Sequence, residues 1–307
     1  MKRLVAIVGP TGIGKSRLAL SLAARYGGEI IGADSRQVYR RLDIGTAKPS
    51  PEELDSVPHH LIDIINPDEP FSLAQYLELA RAAIADIFKR QKLPFLVGGT
   101  GLYVRAVLEG WRPPPVSPDA EFRYNEERRA GEAGADALYQ ELARLDPAAA
   151  QRIDPRNLRR VIRALEVRAG TPWPSPESER KEPPDFAPLV IGLTADRSEL
   201  YARVDRRVDE MLARGLVNEV ENLLRMGYDL DLPALSGIGY RQVGQYLRGE
   251  LTRAEAVRRI KTATHRFIRH QYAWFRPADA RIHWFDIGDD EAIINKSLEG
   301  FLASEED

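Results

Sequence analysis

Eight residues near the start of the chain, Gly9-Pro10-Thr11-Gly12-Ile13-Gly14-Lys15-Ser16, leave few folds open. They fit G-x-x-x-x-G-K-[ST] at every fixed position, follow an apolar, β-branched run at 4–8, and open a helical pattern at 16–25. Glycines let the backbone curl until successive N–H groups point at phosphate oxygens. The helix start adds partial positive charge, Lys15 adds a full one, and the Ser16 hydroxyl suits Mg²⁺. The eight residues are therefore expected to grip a diphosphate-type group. The dinucleotide fingerprint G-x-G-x-x-G is absent, which argues against a Rossmann site.

Four further strand candidates lie at Glu29–Gly32, 95–97, 190–193 and 282–285, with helical stretches such as Leu73–Lys89 and 198–213 between them. This alternation predicts an α/β fold: a P-loop NTPase-like parallel sheet flanked by helices. Proline clusters at 113–115 and 183–184 bracket a charged, strand-poor, helical stretch. The expected organisation is a catalytic core of 1–115 and 186–307 with an inserted helical subdomain at 116–185. The last residues, 304–307, are expected to fray.

Composition narrows the function. The 307 residues include no cysteine, which rules out disulfides and cysteine-ligated zinc and fits a reducing cytoplasm. The apolar run at the N-terminus is too short for a signal or a membrane span, so a cytoplasmic protein is expected. A net charge of -2 gives no bulk attraction to nucleic acid, so any polyanion site must be a local patch. The histidines lack metal-ligand spacing, and His59 and His60 read as structural.

Ligands of open α/β sheets bind beyond the C-terminal strand ends. Asp34 falls just past the second strand and is placed to take a proton from a nucleophile; a helix N-cap or a water-bridged Mg²⁺ ligand are the other readings. The strand at 95–97 runs into Gly98-Gly99-Thr100-Gly101, with no carboxylate of the kind that ATPases use for Mg²⁺. Its glycines allow close approach of a ligand, and Thr100 offers a hydroxyl. Gly45 and Lys48 lie in a segment that either closes on phosphate or is a solvated loop.

Taken together, the segments GPTGIGKS (9–16), DSRQVYRRLDIGTAKP (34–49), PHHLID (58–63), GGTGLY (98–103), RRVIRALEV (159–167) and GIGYRQ (237–242) resemble the bacterial tRNA dimethylallyltransferases. They occur in that family's order across nearly the whole chain. The resemblance implies that the P-loop holds dimethylallyl diphosphate with Mg²⁺ at Ser16. It implies that the acceptor is N6 of the adenosine 3′-adjacent to the anticodon. By the family pattern Asp34 is the general base and Thr100 lies at the reacting centre. Contacts to the tRNA anticodon stem-loop fall to Asp34, Ser35, Arg36, Gln37, Thr100, Arg123, Arg159, Arg160, Val161, Ile162 and Arg163. Where the family has an Arg-Gln pair in its C-terminal basic helix, this chain has His270-Gln271. Without cysteine it lacks the zinc finger of eukaryotic relatives. A monomer is expected.

That chemistry calls for positive charge where pyrophosphate leaves. Arg203 and Arg207, four apart, share a helix face and are expected to clamp it, with Arg207 foremost by the family resemblance; the other reading pairs them with Glu199 and Asp205. On the RNA side, Arg156, Arg159, Arg160 and Arg163 read as a basic helix start. Arg258, Thr262, His265, Arg269, Tyr272 and Arg276 read as a basic stripe on a helix whose apolar face is Ile260, Phe267, Ile268 and Phe275. Two other functions compete. A small-molecule kinase using ATP needs a Walker-B-type carboxylate or an arginine-rich lid. A non-catalytic nucleotide-dependent RNA-binding protein needs basic patches but neither Asp34 nor Thr100 in the crevice.

Overall fold

A computed structural model describes residues 2–114, 116, 118–170, 181–288 and 291–304. The third proline of the first cluster and the expected frayed end at 305–307 lie outside the described residues.

The sheet has six parallel strands: β1 (Lys2–Val8), β2 (Glu29–Gly32), β3 (His59–His60), β4 (Pro94–Val97), β5 (Phe186–Thr194) and β6 (Ile282–Asp286), in the order β3-β2-β4-β1-β5-β6. Leu4 to Val8 are all fully buried. A continuous apolar run rather than an alternating one is what a strand covered on both faces requires. Two strands depart from the sequence reading. β3 has only two residues, too few to show a periodicity. β5 begins four residues earlier than expected, because Phe186 to Leu189 extend its ladder along β1 despite Pro188.

In the core the helices are α1 (Lys15–Tyr26), α2 (Pro51–Ser56), α3 (Leu73–Lys89) and α4 (Gly101–Leu108). The insertion holds α5 (Ala120–Ala133), α6 (Ala135–Leu145), α7 (Pro147–Arg152) and α8 (Leu158–Gly170). The core resumes with α9 (Arg197–Ala213), α10 (Leu216–Arg225), α11 (Tyr240–Leu247), α12 (Arg253–Trp274) and α13 (Glu291–Ala303). α1 presents Leu18, Ala19, Leu22 and Ala23 to Val5, Ile7, Phe95 and Ile191 of the sheet. A second core joins the segment after β2 to α9–α12, through Val38, Leu42, Val208, Leu216, Val220, Tyr240 and Ile260.

The chain divides into two compact units, residues 1–110 with 183–307, and residues 111–182. Within the smaller unit Trp111 bridges to Lys181. Its four described helices close around Leu138, Leu142, Val161, Ile162 and Leu165.

Candidate active site

The site grows from the C-terminal ends of β1, β2 and β4. Gly9, Gly12 and Gly14 adopt φ of 139°, 77° and 106°, values that side chains with a Cβ avoid. A Cβ on Gly9 would also come within 2.6 Å of the Leu193 carbonyl, and one on Gly12 would strike Val204. The loop is thus wedged between β5 and α9. Lys15 Nζ donates to the Pro10 carbonyl at 2.8 Å, across the mouth of the loop. Desolvation pushes its ammonium down to about 8; Asp34 opposes the shift and Arg207 adds to it.

Gln271 of α12 ties two glycine-rich turns together. Its Oε1 accepts the Thr11 N–H at 2.8 Å and its Nε2 donates to the Gly99 carbonyl at 3.0 Å. The residue is 3% exposed. The glycines of the second turn serve packing within the protein: a Cβ on Gly98 would overlap the Ala33 backbone, and one on Gly99 would strike Gln271. Both residues also line the cleft described below, so the room they leave for a ligand and the packing they allow coexist.

Asp34 follows β2. Its Oδ1 accepts the Arg36 N–H at 2.8 Å and the Gln37 N–H at 3.4 Å, which leaves Oδ2 without a partner among the described residues. Thr100 starts α4 without capping it. Its Oγ1 instead accepts the Ser35 N–H at 3.0 Å, and its own N–H donates to the Ala33 carbonyl at 3.1 Å. Asp34 and Thr100 are therefore set on one rigid double turn, and the Thr100 hydroxyl proton is left to donate elsewhere.

Asp34 lines a cleft of about 480 Å³ together with Lys15, Ser16, Gly99, Arg203 and Arg207, and Thr100 stands one residue beyond the lining, next to Gly99. Arg206 also reaches the cleft. None of the three arginines makes a hydrogen bond or ion pair with a described residue. The alternative pairing with Asp205 is not formed: that carboxylate accepts from His265 Nε2 at 2.8 Å. Burial lowers the Arg207 pKa, against the pull of Asp34. A cluster of unpaired cations beside a P-loop suits an anion. Lys48 is not part of that cluster, although it lines the cleft; it donates to the Tyr39 carbonyl and to Asp43, both at 2.7 Å, and pairs with Asp63. The segment at 43–49 thus belongs to the cleft wall, neither closing on phosphate through Lys48 nor standing free in solvent.

The expected tRNA-facing residues separate into groups. Ser35 and Gln37 lie half-buried beside Asp34; Gln37 Nε2 donates to the Thr46 and Ala47 carbonyls, each at 3.1 Å. The Arg36 guanidinium is engaged by the carbonyls of Pro233 and Ala234 and by Ser236 Oγ. In the insertion, Arg159 and Arg160 are exposed, whereas Val161 and Ile162 are 0% and 2% exposed in its apolar core. Side-chain contact with tRNA is thereby corrected for Val161 and Ile162: helical geometry turns them inward. Arg123 and Arg163 converge on buried Glu166, Arg123 with Nε and Nη2 at 2.9 and 2.8 Å. Arg156 precedes α8 and pairs with Asp154, so it does not share a helix face with Arg160 and Arg163.

α12 also differs from its expected stripe. His265 stacks on Tyr201, Arg269 donates to the Tyr201 hydroxyl at 3.1 Å, and Tyr272 bonds Thr194, so these three face α9 and β5. Phe267 is 41% exposed; the buried face is Ala256, Ile260, Ile268 and Gln271, and Phe267 lies past its edge. Arg258 and Thr262 instead line a second cleft of about 420 Å³ with Arg241, Gln242, Arg259 and Arg266. Sequence reading misses Arg241, Arg259 and Arg266 because the cleft needs α11 against α12; the GIGYRQ motif is the available signal. Gln271 is visible in the sequence only beside a departure from a motif.

Among the described residues no three His, Asp or Glu side chains group to hold a metal. Residues with side-chain oxygens that line the cleft include Thr11, Ser16, Asp34, Glu53 and Glu210. No described helix is long and apolar enough to cross a membrane.

Known proteins share this sequence and this geometry along nearly the whole chain. The IPP transferase family model matches residues 37–278, and an isopentenyl transferase model matches residues 2–64. The chain is 54% identical over 285 residues to a tRNA dimethylallyltransferase of Roseiflexus sp., covering 90% of this chain and 93% of the relative. Among solved structures, the full-length tRNA isopentenylpyrophosphate transferase of Bacillus halodurans aligns with TM-score 0.72 and 42% identity, covering 99% of this chain and 96% of that one. A eukaryotic dimethylallyltransferase described as acting on tRNA aligns with TM-score 0.83 and 26% identity, covering 99% of this chain and 80% of that one.

Proposed function

The chain belongs to the IPP transferase family, and from that premise we infer that it is the enzyme that transfers a dimethylallyl group from dimethylallyl diphosphate to N6 of the adenosine 3′-adjacent to the anticodon of a tRNA, releasing diphosphate. The observation that carries this reading is the union, in one cleft, of a P-loop, four arginines bonded to no described residue (Arg17, Arg203, Arg206 and Arg207) and a carboxylate with a free oxygen. The first two suit an anionic leaving group; the third suits a proton acceptor.

In this reaction the bond from C1 of the allyl group to the diphosphate oxygen breaks and the C1–N6 bond forms. Lys15, the P-loop amides, Arg203 and Arg207 neutralise charge as it builds on the leaving diphosphate. Where Mg²⁺ binds, the Ser16 hydroxyl would hold it, and it would supply further positive charge to the leaving diphosphate. Asp34 Oδ2 takes the N6 proton as nitrogen bonds carbon, while Oδ1 stays anchored on the Arg36 amide. The Thr100 hydroxyl donates to the diphosphate end of the breaking bond. Adenine must leave the anticodon-loop stack, at a cost of a few kcal/mol. Contacts to RNA phosphates from the Arg241–Arg258–Arg259–Arg266 cleft, and from Arg159 and Arg160 of the insertion, offset that cost. The kinase reading loses support from β4, which is followed by Gly98-Gly99 where such enzymes need a carboxylate.

Release of pyrophosphate tests the reading. It should require dimethylallyl diphosphate together with a tRNA carrying adenosine beside the anticodon. It should vanish when that adenosine is replaced by guanosine. Phosphate release from ATP with a small acceptor, and no pyrophosphate from the prenyl donor, would return the chain to the kinases.

A further inference from the structure

Glu219 of α10 lies outside the cleft, yet three consecutive backbone N–H groups converge on it. Oε2 accepts from Asp43 at 3.0 Å and Ile44 at 2.7 Å, and Oε1 accepts from Gly45 at 3.1 Å. A fourth donor, the Tyr240 hydroxyl, reaches Oε1 at 2.6 Å. Successive backbone amides curled about one anion form a nest, a geometry proteins use to hold phosphates and carboxylates. Here the anion is the protein's own side chain.

The turn it holds begins one wall of the cleft. Thr46, Ala47, Lys48 and Pro49 all line it. The carbonyls of Thr46 and Ala47 receive the Gln37 side-chain amide, and the Gln37 backbone N–H reaches Asp34 Oδ1. Tyr240 closes the same turn sterically: a Cβ on Gly45 would lie 2.6 Å from the Tyr240 Cζ. A continuous path therefore runs from α10 and α11 through the 43–47 turn to the carboxylate that takes the proton.

We propose that Glu219, seated on Tyr240, is a positioning residue that fixes the 43–49 wall for the diphosphate and steadies Asp34 behind it. This rests on the cleft being the diphosphate site. The carboxylate is needed because both oxygens accept two donors each, and an amide cannot. In Glu219→Gln one oxygen becomes an NH₂, which must face at least one of the backbone N–H groups. Burying a donor against a donor opens the turn while the rest of α10 still packs through Leu216, Val220 and Leu223.

The experiment compares wild type with Glu219→Gln and Tyr240→Phe by hydrogen exchange, pyrophosphate binding and steady-state kinetics. In Glu219→Gln the amides of 43–45 should lose protection by about tenfold or more while β1, β4 and β5 keep theirs. The Kd for pyrophosphate and the KM for dimethylallyl diphosphate should rise by about tenfold, with the KM for tRNA changed less than about twofold. Tyr240→Phe, which removes one donor and leaves the nest, should produce a smaller change in the same direction. Unchanged protection at 43–45, or a pyrophosphate affinity equal to wild type in the folded variant, overturns the proposal. Global loss of protection in Glu219→Gln would shift the decision to Tyr240→Phe, whose wild-type affinity and KM would equally overturn it. Failure of wild type itself to bind pyrophosphate would instead overturn the diphosphate reading, so the two failures are distinct.

Discussion

Asp34 shows how one side chain is given a task by its two oxygens. Oδ1 is spent on the Arg36 amide, and Oδ2, without a partner among the described residues, is the proposed proton acceptor. Asp34→Asn keeps the anchor but removes the acceptor basicity. Single-turnover kinetics should therefore show the transfer rate falling by about 10²–10⁴-fold, with tRNA affinity within about twofold of wild type. Lys15 makes a second prediction, in which activity and stability move oppositely. Its ammonium is pushed down to about 8 from an ordinary 10.5. In the free enzyme the charge needed for diphosphate is thus lost as pH rises through about 8, and kcat/KM for dimethylallyl diphosphate should fall there. Stability runs the other way. Between about 8 and 10.5 the unfolded chain binds more protons at this site than the folded one, so folding becomes more favourable as pH rises through that window. Lys15→Met should abolish both the Lys15-dependent limb of the pH–rate profile and the rise in stability, readable by denaturant titration at each pH.

At the scale of elements, the cleft depends on turns that touch one another more than on any single strand. The P-loop and the turn after β4 are joined through Gln271 of α12, a residue 260 positions from Thr11. Gln271→Ala should leave the Thr11 N–H unsatisfied and cost about 1–3 kcal/mol of stability. It should also raise the KM for dimethylallyl diphosphate, whereas a substitution at exposed Phe267 on the same helix should change neither. Thermal unfolding and steady-state kinetics check both. Much at this scale is legible in the sequence. The strand–glycine–helix pattern at 4–25 places β1 and α1, and the run at Leu73–Lys89 reads to the residue because its amphipathic period is long. Asp34 and Arg207 are located by offset from a strand end and by helical spacing, and both line the cleft with the P-loop residues, whereas Thr100 bonds the Ser35 amide behind it. Pairings between distant segments are not legible. Nothing local says that Asp205 takes His265, that Lys48 is drawn into Asp43 and Asp63, or that Glu219 receives three amides from the 43–45 turn. Phe267 misleads for a related reason: helical spacing defines a face, but the neighbours decide where that face ends.

For the whole molecule, a near-neutral chain handles a polyanion by segregating charge. The net charge is -2, yet Arg241, Arg258, Arg259 and Arg266 gather around one cleft with no carboxylate bonded to any of them among the described residues. Replacing Arg258 and Arg266 together by alanine should weaken tRNA binding and reduce the slope of log K against log salt by about 1.4–1.8, at about 0.7–0.9 for each phosphate left unneutralised. The KM for dimethylallyl diphosphate should hardly change. An unchanged slope would move the RNA surface elsewhere. The insertion carries its own exposed pair, Arg159 and Arg160, and the same measurement on Arg160→Ala reads its share.

Transfer itself is the measurement that bears most directly on the cleft's chemistry. Wild type and Asp34→Asn would each be incubated with labelled dimethylallyl diphosphate, Mg²⁺ and unmodified tRNA, without ATP, and the tRNA digested to nucleosides. Wild type should place the label on N6 of the single adenosine beside the anticodon, and Asp34→Asn should do so at a rate at least about a hundredfold lower. Label that stays out of the tRNA with wild type would contradict prenyl transfer, and label that enters equally fast without the Asp34 carboxylate would contradict its role as the proton acceptor.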